Sequence, residues 1–213
     1  MTLIELTSRL QDELKKPLPG RTVQLTMSSI KRIRELFDLS NQNQAVQSSV
    51  LILLYPGSAI DSIRLVLMLR PTYEGIHGGQ ISLPGGKFET ADADLSVTAL
   101  REAHEEIGID ASKVRIIGKL SELYIPPSNY LVQPFIGISD TAPVFIPDQK
   151  EVEKIIEIDL ADLLDDKNIR KKHILVRGAS IFAPCYIIDG NTIWGATAMI
   201  LSEFKEIVKR VGL

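Results

Sequence analysis

The sequence holds 213 residues, 45 % of them hydrophobic, which suits one ordinary domain with a sizeable core. Its 24 basic and 27 acidic side chains leave a net charge of −3, which argues against general nucleic-acid binding, because that needs a basic surface. A single cysteine, Cys185, excludes an intramolecular disulfide, and its apolar neighbours mark it as a small core residue.

The first residues lack the basic start and apolar core of a signal peptide, and no apolar run reaches the length needed to cross a bilayer. A soluble, cytoplasmic protein is the expectation, with neither membrane nor nucleic acid as partner. Leu3, Ile4, Leu6, Leu10 and Leu14 fall at helical spacing and stop before Pro17-Leu18-Pro19-Gly20. A second helix is expected over residues 28–37, followed by a polar stretch to residue 47. Residues 1–47 thus read as an N-terminal helical extension packed on a main fold spanning residues 48–213, part of it available as a partner-binding arm.

The centre alternates strands and loops. Residues 49–55 and 63–70 predict two strands joined by the turn Pro56-Gly57-Ser58. A long loop over residues 71–82 leads into Leu83-Pro84-Gly85-Gly86, and a helix is predicted from Asp94, its N-cap, to Ile107, with Gly108 as the stop. Further strands are expected near residues 114–120, 131–139, 155–158 and 181–188, then a turn at Asp189-Gly190-Asn191 before Thr192-Ile193-Trp194. A closing helix over residues 196–211 aligns Ile200, Phe204, Ile207, Val208 and Val211. The pattern is that of an α/β fold, a mixed β-sheet sandwiched between helices.

Chemistry concentrates in residues 85–109. On a helix, Glu102, Glu105 and Glu106 lie within about a quarter-turn of one another, while Leu100, Ala103 and Ile107 face a core. Like-charged carboxylates so placed repel by a few tenths of a kcal/mol per pair, so they belong either on a solvated face or beside cations. Oxygen ligands without histidine or cysteine suit a hard ion such as Mg²⁺ or Mn²⁺. Such ions would polarise phosphoryl oxygens and acidify an attacking water. Arg101, four residues before Glu105, can hold that carboxylate, and Gly85 and Gly86 let backbone approach a ligand closely.

Residues 86–109 resemble the Nudix box, whose core stands here as Arg101-Glu102-Ala103-His104-Glu105-Glu106-Ile107-Gly108 before the apolar Ile109. The resemblance implies metal binding by Glu102, Glu105 and Glu106, catalytic roles for Glu105, Glu102 and Arg101, and the family's mixed sheet between helices. The interval from Gly86 to Arg101 is one residue longer than the common box. The box's first acid is therefore met by Asp92 counted from the glycine and by Ala93 counted from the arginine. The preceding stretch, from Arg70 through His77, Gly79 and Gln80 to Pro84-Gly85-Gly86, is similar to the coenzyme A pyrophosphatase branch. So are Thr98-Ala99-Leu100, Gln133-Pro134-Phe135-Ile136-Gly137 and Ile193-Trp194-Gly195-Ala196-Thr197-Ala198. The branch usually has arginine where this chain has Gly75, a small residue at Pro71 and phenylalanine at Leu83.

Among the remaining candidates, Arg70 either touches a substrate phosphate or pairs with Glu74 or Glu89. His77, Gly85 and Gly86 are candidate substrate contacts, with a loop-shaping hydrogen bond the other reading of His77. His104 points away from the acid face, and His173 follows Arg170-Lys171-Lys172 in what reads as a solvated polar loop. Nudix enzymes often take a further acid from outside the box as metal ligand or base; of Asp148, Glu151 and Glu153, Glu151 best matches a position recurrent in the branch, and loop solvation is the other reading of all three. The function this implies is metal-dependent cleavage of the diphosphate of a nucleotide derivative. Coenzyme A or an acyl derivative would give 3′,5′-ADP and (acyl-)4′-phosphopantetheine. ADP-ribose or a dinucleotide is the alternative substrate, and a non-catalytic nucleotide-binding module the alternative class. A small-molecule nucleotide is the expected partner, and the pattern leaves room for a homodimer.

Overall fold

The structure, a computed structural model, describes residues 1–29, 44–72, 78–176 and 178–213. Helix α1 (Leu3–Glu13) opens on a capping box: Thr2 Oγ1 accepts from the Glu5 N–H while the Glu5 carboxylate accepts from the Thr2 N–H. Its inner face buries Leu6 and Leu10 completely. A short helix α2 (Arg21–Gln24) and a 3₁₀ turn (Leu25–Met27) follow. Ser28, where a second helix is expected to begin, is extended at ψ 149°, as an N-cap residue is. The rest of that expectation lies outside the described residues.

Strand β1 (Val46–Pro56) runs antiparallel to β2 (Ile63–Leu69). The short strands β3 (Ile81–Ser82) and β4 (Gly85–Lys87) then pair with β2 and β1 respectively. Helix α3 (Leu95–Ile107) leads to β5 (Val114–Lys119), β6 (Leu123–Ile125) and β7 (Tyr130–Ser139). Strand β7 lies parallel to β1, pairing Val46 with Tyr130 through Leu54 with Ile138. Strand β8 (Lys154–Asp159) completes an eight-stranded mixed sheet whose main order is β3-β2-β1-β7-β5. After helix α4 (Leu160–Leu164), β9 (Ile169–Val176), β10 (Ala179–Ile188) and β11 (Asn191–Trp194) form a separate antiparallel sheet of three. Helix α5 (Gly195–Arg210) closes the chain.

Both faces of the large sheet are covered, which is why residues 50–55 of β1 read as an unbroken apolar run. Leu51, Leu53 and Tyr55 pack toward α3 with Val66, Met68, Ala103 and Ile107. Ile52 and Leu54 point the other way, into a larger core with Leu65, Leu67, Leu10 and Phe204. A buried carboxylate joins the N-terminal segment to this core: Glu203 accepts from the Gly20 and Ser121 N–H groups and from Gln24 Nε2. No helix among the described residues is long and apolar enough to cross a membrane.

Two sequence readings are corrected. The segment around His173 is not a loop but strand β9, whose residues 169–176 pair with 179–186. The long loop over residues 71–82 ends in strand β3 at Ile81, where Thr197 Oγ1 of α5 donates to the Ile81 carbonyl at 3.0 Å.

Candidate active site

Helix α3 begins as its sequence demands, with Asp94 Oδ1 accepting from the Ser96 and Val97 N–H groups, and ends at Gly108 in a left-handed conformation. The turn of β4 into this helix sets the acids. Gly85 has φ 149°, and a Cβ there would collide with the Ser49 carbonyl of β1. At Gly86 a Cβ would run into the Glu102 carboxylate, so the glycine makes room for the acid directly above it.

The three box glutamates are not equivalent. Glu106 is only 2 % exposed; its Oε2 accepts from the Gly85 N–H at 2.7 Å and its Oε1 from Arg70 Nη2 at 3.0 Å. Burial pushes this carboxyl up to about 7, the Arg70 charge and the Gly85 bond oppose that, and the charges of Glu102 and Glu151 add to it. Glu102 is half-buried and is also raised, by burial first, against the pull of Arg101 and with the push of Glu105 and Glu151. Glu105 is the exposed member of the three.

Arg101 organises two of them. Its Nη1 donates to Glu102 Oε1 at 3.0 Å and to Glu105 Oε2 at 2.9 Å. Its Nε and Nη2 donate to Asp92 Oδ1 at 2.9 Å and Oδ2 at 3.0 Å, and Nη2 also reaches the Lys87 carbonyl. Asp92 is buried, takes further bonds from Thr98 Oγ1 and the Glu89 N–H, and is held well below the usual carboxylate range, chiefly by Arg101. The longer box is therefore in register from its glycines, and Asp92 rather than Ala93 meets the arginine.

Arg70, at the end of β2, spends Nη2 on Glu106 and the Gly85 carbonyl and Nε on Ser82 Oγ. Among the described residues its ion-pair partner is thus Glu106 and not Glu89, while Glu74 lies outside them. Glu151 is exposed on the turn before β8, near enough for its charge to register on both Glu102 and Glu106. That turn is fixed to α3 by the Asp148 N–H, which donates to the Glu106 carbonyl at 2.9 Å. His104 is exposed, its Nδ1 2.7 Å from the Ile109 carbonyl oxygen. His77 and Gly75 lie outside the described residues.

The donor set is all carboxylate, which fits a hard divalent cation, and the mutual repulsion of Glu102, Glu106 and Glu151 is what such a cation relieves. Among the described residues no three acids already converge as a ready cage. Arg101 pairs instead with Glu102 and Glu105, and Arg70 with Glu106.

The sequence profile of the NUDIX domain matches residues 46–177, more than half of the chain, and the chain belongs to the Nudix family. It is 34 % identical over 170 residues to Nudix hydrolase 22, chloroplastic, of Arabidopsis thaliana, covering 76 % of this chain and 55 % of that protein. It is 37 % identical over 163 residues to Nudix hydrolase 15, mitochondrial, of the same plant, covering 73 % of this chain and 56 % of that one. The chain thus spans about half the length of these two relatives. An uncharacterized Nudix hydrolase, NudL, of Photorhabdus laumondii is 32 % identical over 145 residues, 68 % of this chain and 77 % of its own length. The crystal structure of a Nudix hydrolase from M. smegmatis, RenU, superposes with a TM-score of 0.52 at 14 % identity, over 79 % of this chain and 89 % of that one, a likeness of fold.

Proposed function

We propose that this chain is a metal-dependent pyrophosphohydrolase acting on a nucleoside diphosphate derivative, with residues 48–213 as the hydrolase domain and residues 1–47 as its extension. The observation that carries the reading is the set of carboxylates Glu102, Glu105, Glu106 and Glu151, gathered by one helix and one turn beside the glycine pair and within one another's field. Mg²⁺ or Mn²⁺ held by these four would polarise the diphosphate and acidify an attacking water. Arg101, anchored on Asp92, fixes the orientation of half-buried Glu102 and exposed Glu105, either of them placed to accept the water's proton. Gly85 and Gly86 keep backbone low so that a phosphate can approach the acids.

Coenzyme A or an acyl-CoA is the proposed substrate. Its support is the resemblance upstream and downstream of the box, and those same residues brace the site. Gln133 Nε2 donates to the Leu120 carbonyl, its own carbonyl accepts from Ser49 Oγ beside the glycine pair, and Thr197 ties α5 to β3.

The test is turnover of coenzyme A, an acyl-CoA, ADP-ribose and a dinucleotide polyphosphate with Mg²⁺ or Mn²⁺, with products identified by mass. Coenzyme A should be fastest and release 3′,5′-ADP and 4′-phosphopantetheine. Glu105→Gln should stay folded and lose roughly a hundredfold or more in rate. Faster turnover of ADP-ribose would overturn the coenzyme A assignment. Tight binding of these nucleotides without turnover of any would overturn hydrolysis in favour of a sensing module.

A further inference from the structure

Residues 140–153 run from β7 to β8 without forming a strand of their own, and they carry Glu151 past the end of α3. The last carbonyls of a helix have no partner within it, and this segment supplies donors to two of them. The Ile146 N–H donates to the Ile107 carbonyl and the Asp148 N–H to the Glu106 carbonyl, each at 2.9 Å. Ile146 itself is 68 % exposed, so it is the backbone that approaches the helix end.

Gly108 permits that approach. Its φ of 69° ends the helix, and asparagine could adopt the same conformation. A Cβ, however, would stand 2.5 Å from the Ile146 carbonyl oxygen, 2.7 Å from its Cβ and 2.9 Å from its nitrogen. Two of these three atoms are backbone, which has no other rotamer to take. The missing side chain at Gly108 therefore serves the segment lying against it as well as the turn of the chain.

The segment is fastened at further points. The Phe145 ring meets Tyr55 edge-on, with centroids 5.7 Å apart. Val152 is 2 % exposed in the core shared with Ala103 and Ile107 of α3. The Glu153 N–H donates at 2.8 Å to the carbonyl of Leu69, the residue before Arg70. Between these anchors Asp148 closes a tight turn: its carbonyl accepts from the Glu151 and Val152 N–H groups, and its Oδ1 from the Lys150 N–H. Glu151 is thus tied through backbone to the Glu106 carbonyl on one side and to the neighbour of Arg70 on the other.

We infer that Gly108 and the segment of residues 145–152 resting on it are positioning elements of the metal site, which hold Glu151 in place opposite Glu102 and Glu106. The inference rests on the hydrolase reading, in which Glu151 is a ligand. An acid on an untethered turn would have to be ordered each time a cation bound, at the expense of the turn's conformational freedom. The bonds to the Glu106 and Leu69 carbonyls order it beforehand, so helix and turn present their acids as one body.

The experiment is Mn²⁺ binding to the full chain without substrate, read from the electron paramagnetic resonance signal of the free ion. Gly108→Asn keeps the helix stop but adds the Cβ, and should weaken binding by about 10- to 100-fold, as loss of a group that orients a ligand does. Glu151→Gln should weaken it at least as much, and Gly108→Asn should cost nothing further in a Glu151→Gln chain, because it acts through Glu151. Phe145→Ala, which touches neither helix nor ligand, should weaken binding in the same way and be equally silent beside Glu151→Gln. Gly190→Asn is the control: φ is 76° there and a Cβ meets nothing within 4 Å, so Mn²⁺ affinity should not change. Should Gly108→Asn not fold, Phe145→Ala carries the same comparison. Wild-type affinity in folded Gly108→Asn or in Phe145→Ala overturns the inference while leaving the metal site standing, as does a loss that adds in full to that of Glu151→Gln. A wild type that takes up no Mn²⁺ overturns the hydrolase reading and the inference together.

Discussion

Glu106 is a carboxylate in a place that disfavours charge, and its neighbours only partly make up for that. Burial raises it to about 7 from an ordinary 4.5, so the folded protein holds a proton there that the unfolded chain has released. Between those two values the unfolded state binds fewer protons, and stability must fall as pH rises. The contribution is fully present below 4.5 and gone above about 7, and amounts to roughly 3 kcal/mol at 1.36 kcal/mol per unit. Asp92 acts in the opposite sense, since its depressed carboxyl stabilises above its ordinary 3.8 and loses that effect only in stronger acid. Chelator-treated wild type should therefore lose stability from pH 5 to pH 7.5 more steeply than Glu106→Gln, which cannot ionise. Parallel curves for the two would show that Glu106 does not titrate in that window.

The glycine-to-helix entry works as one element, because β4 and α3 position each other. The Glu102 carboxylate occupies the space a side chain at Gly86 would need, and Arg101 returns to the Lys87 carbonyl and to Asp92. Gly86→Ala should push Glu102 off its position while α3, capped by Asp94 and packed through Ala99, Ala103 and Ile107, survives. Helical circular dichroism should be unchanged and activity on the best substrate should drop by about a hundredfold, as expected when a group at the reacting centre is misplaced by an ångström or so. Activity near wild type would mean that Glu102 has another seat.

What sequence reveals at this scale follows from periodicity. Helix α3, with its cap, its stop and its apolar face, is legible because all three signals agree over thirteen residues. Strands β3 and β4, of two and three residues, are too short to show a period. Strand β9 is missed for a different reason: Arg170, Lys171, Lys172 and His173 are all exposed, so they follow no alternation. The acid trio is readable from helix geometry, but the burial of Glu106 is not, since Arg70 and Gly85 reach it from distant strands.

Over the whole molecule, the N-terminal helix takes part in the main core. Leu6 and Leu10 are fully buried in the cluster that holds Phe204 and the inward side of β1. Leu10→Ala should cost about 2–5 kcal/mol, the usual penalty for a cavity at a fully buried leucine, read as a fall in the midpoint of denaturant unfolding. A loss below about 1 kcal/mol would mean that α1 is a detachable accessory.

The parallel pairing of β1 with β7 also bears on how the chain reaches this state. Ser49 meets Gln133 across 84 residues of chain, and the glycine pair, the acid helix and its arginine all lie inside that closed loop. During synthesis the helix that carries the acids leaves the ribosome before the strand that completes the sheet beneath it, so for some seconds it has no finished floor. Such long-range closure places the chain among slower-folding topologies, milliseconds to seconds rather than microseconds. A nascent chain halted before residue 130 should be recognised by chaperones as unfinished, even though every residue of the acid helix has already been made.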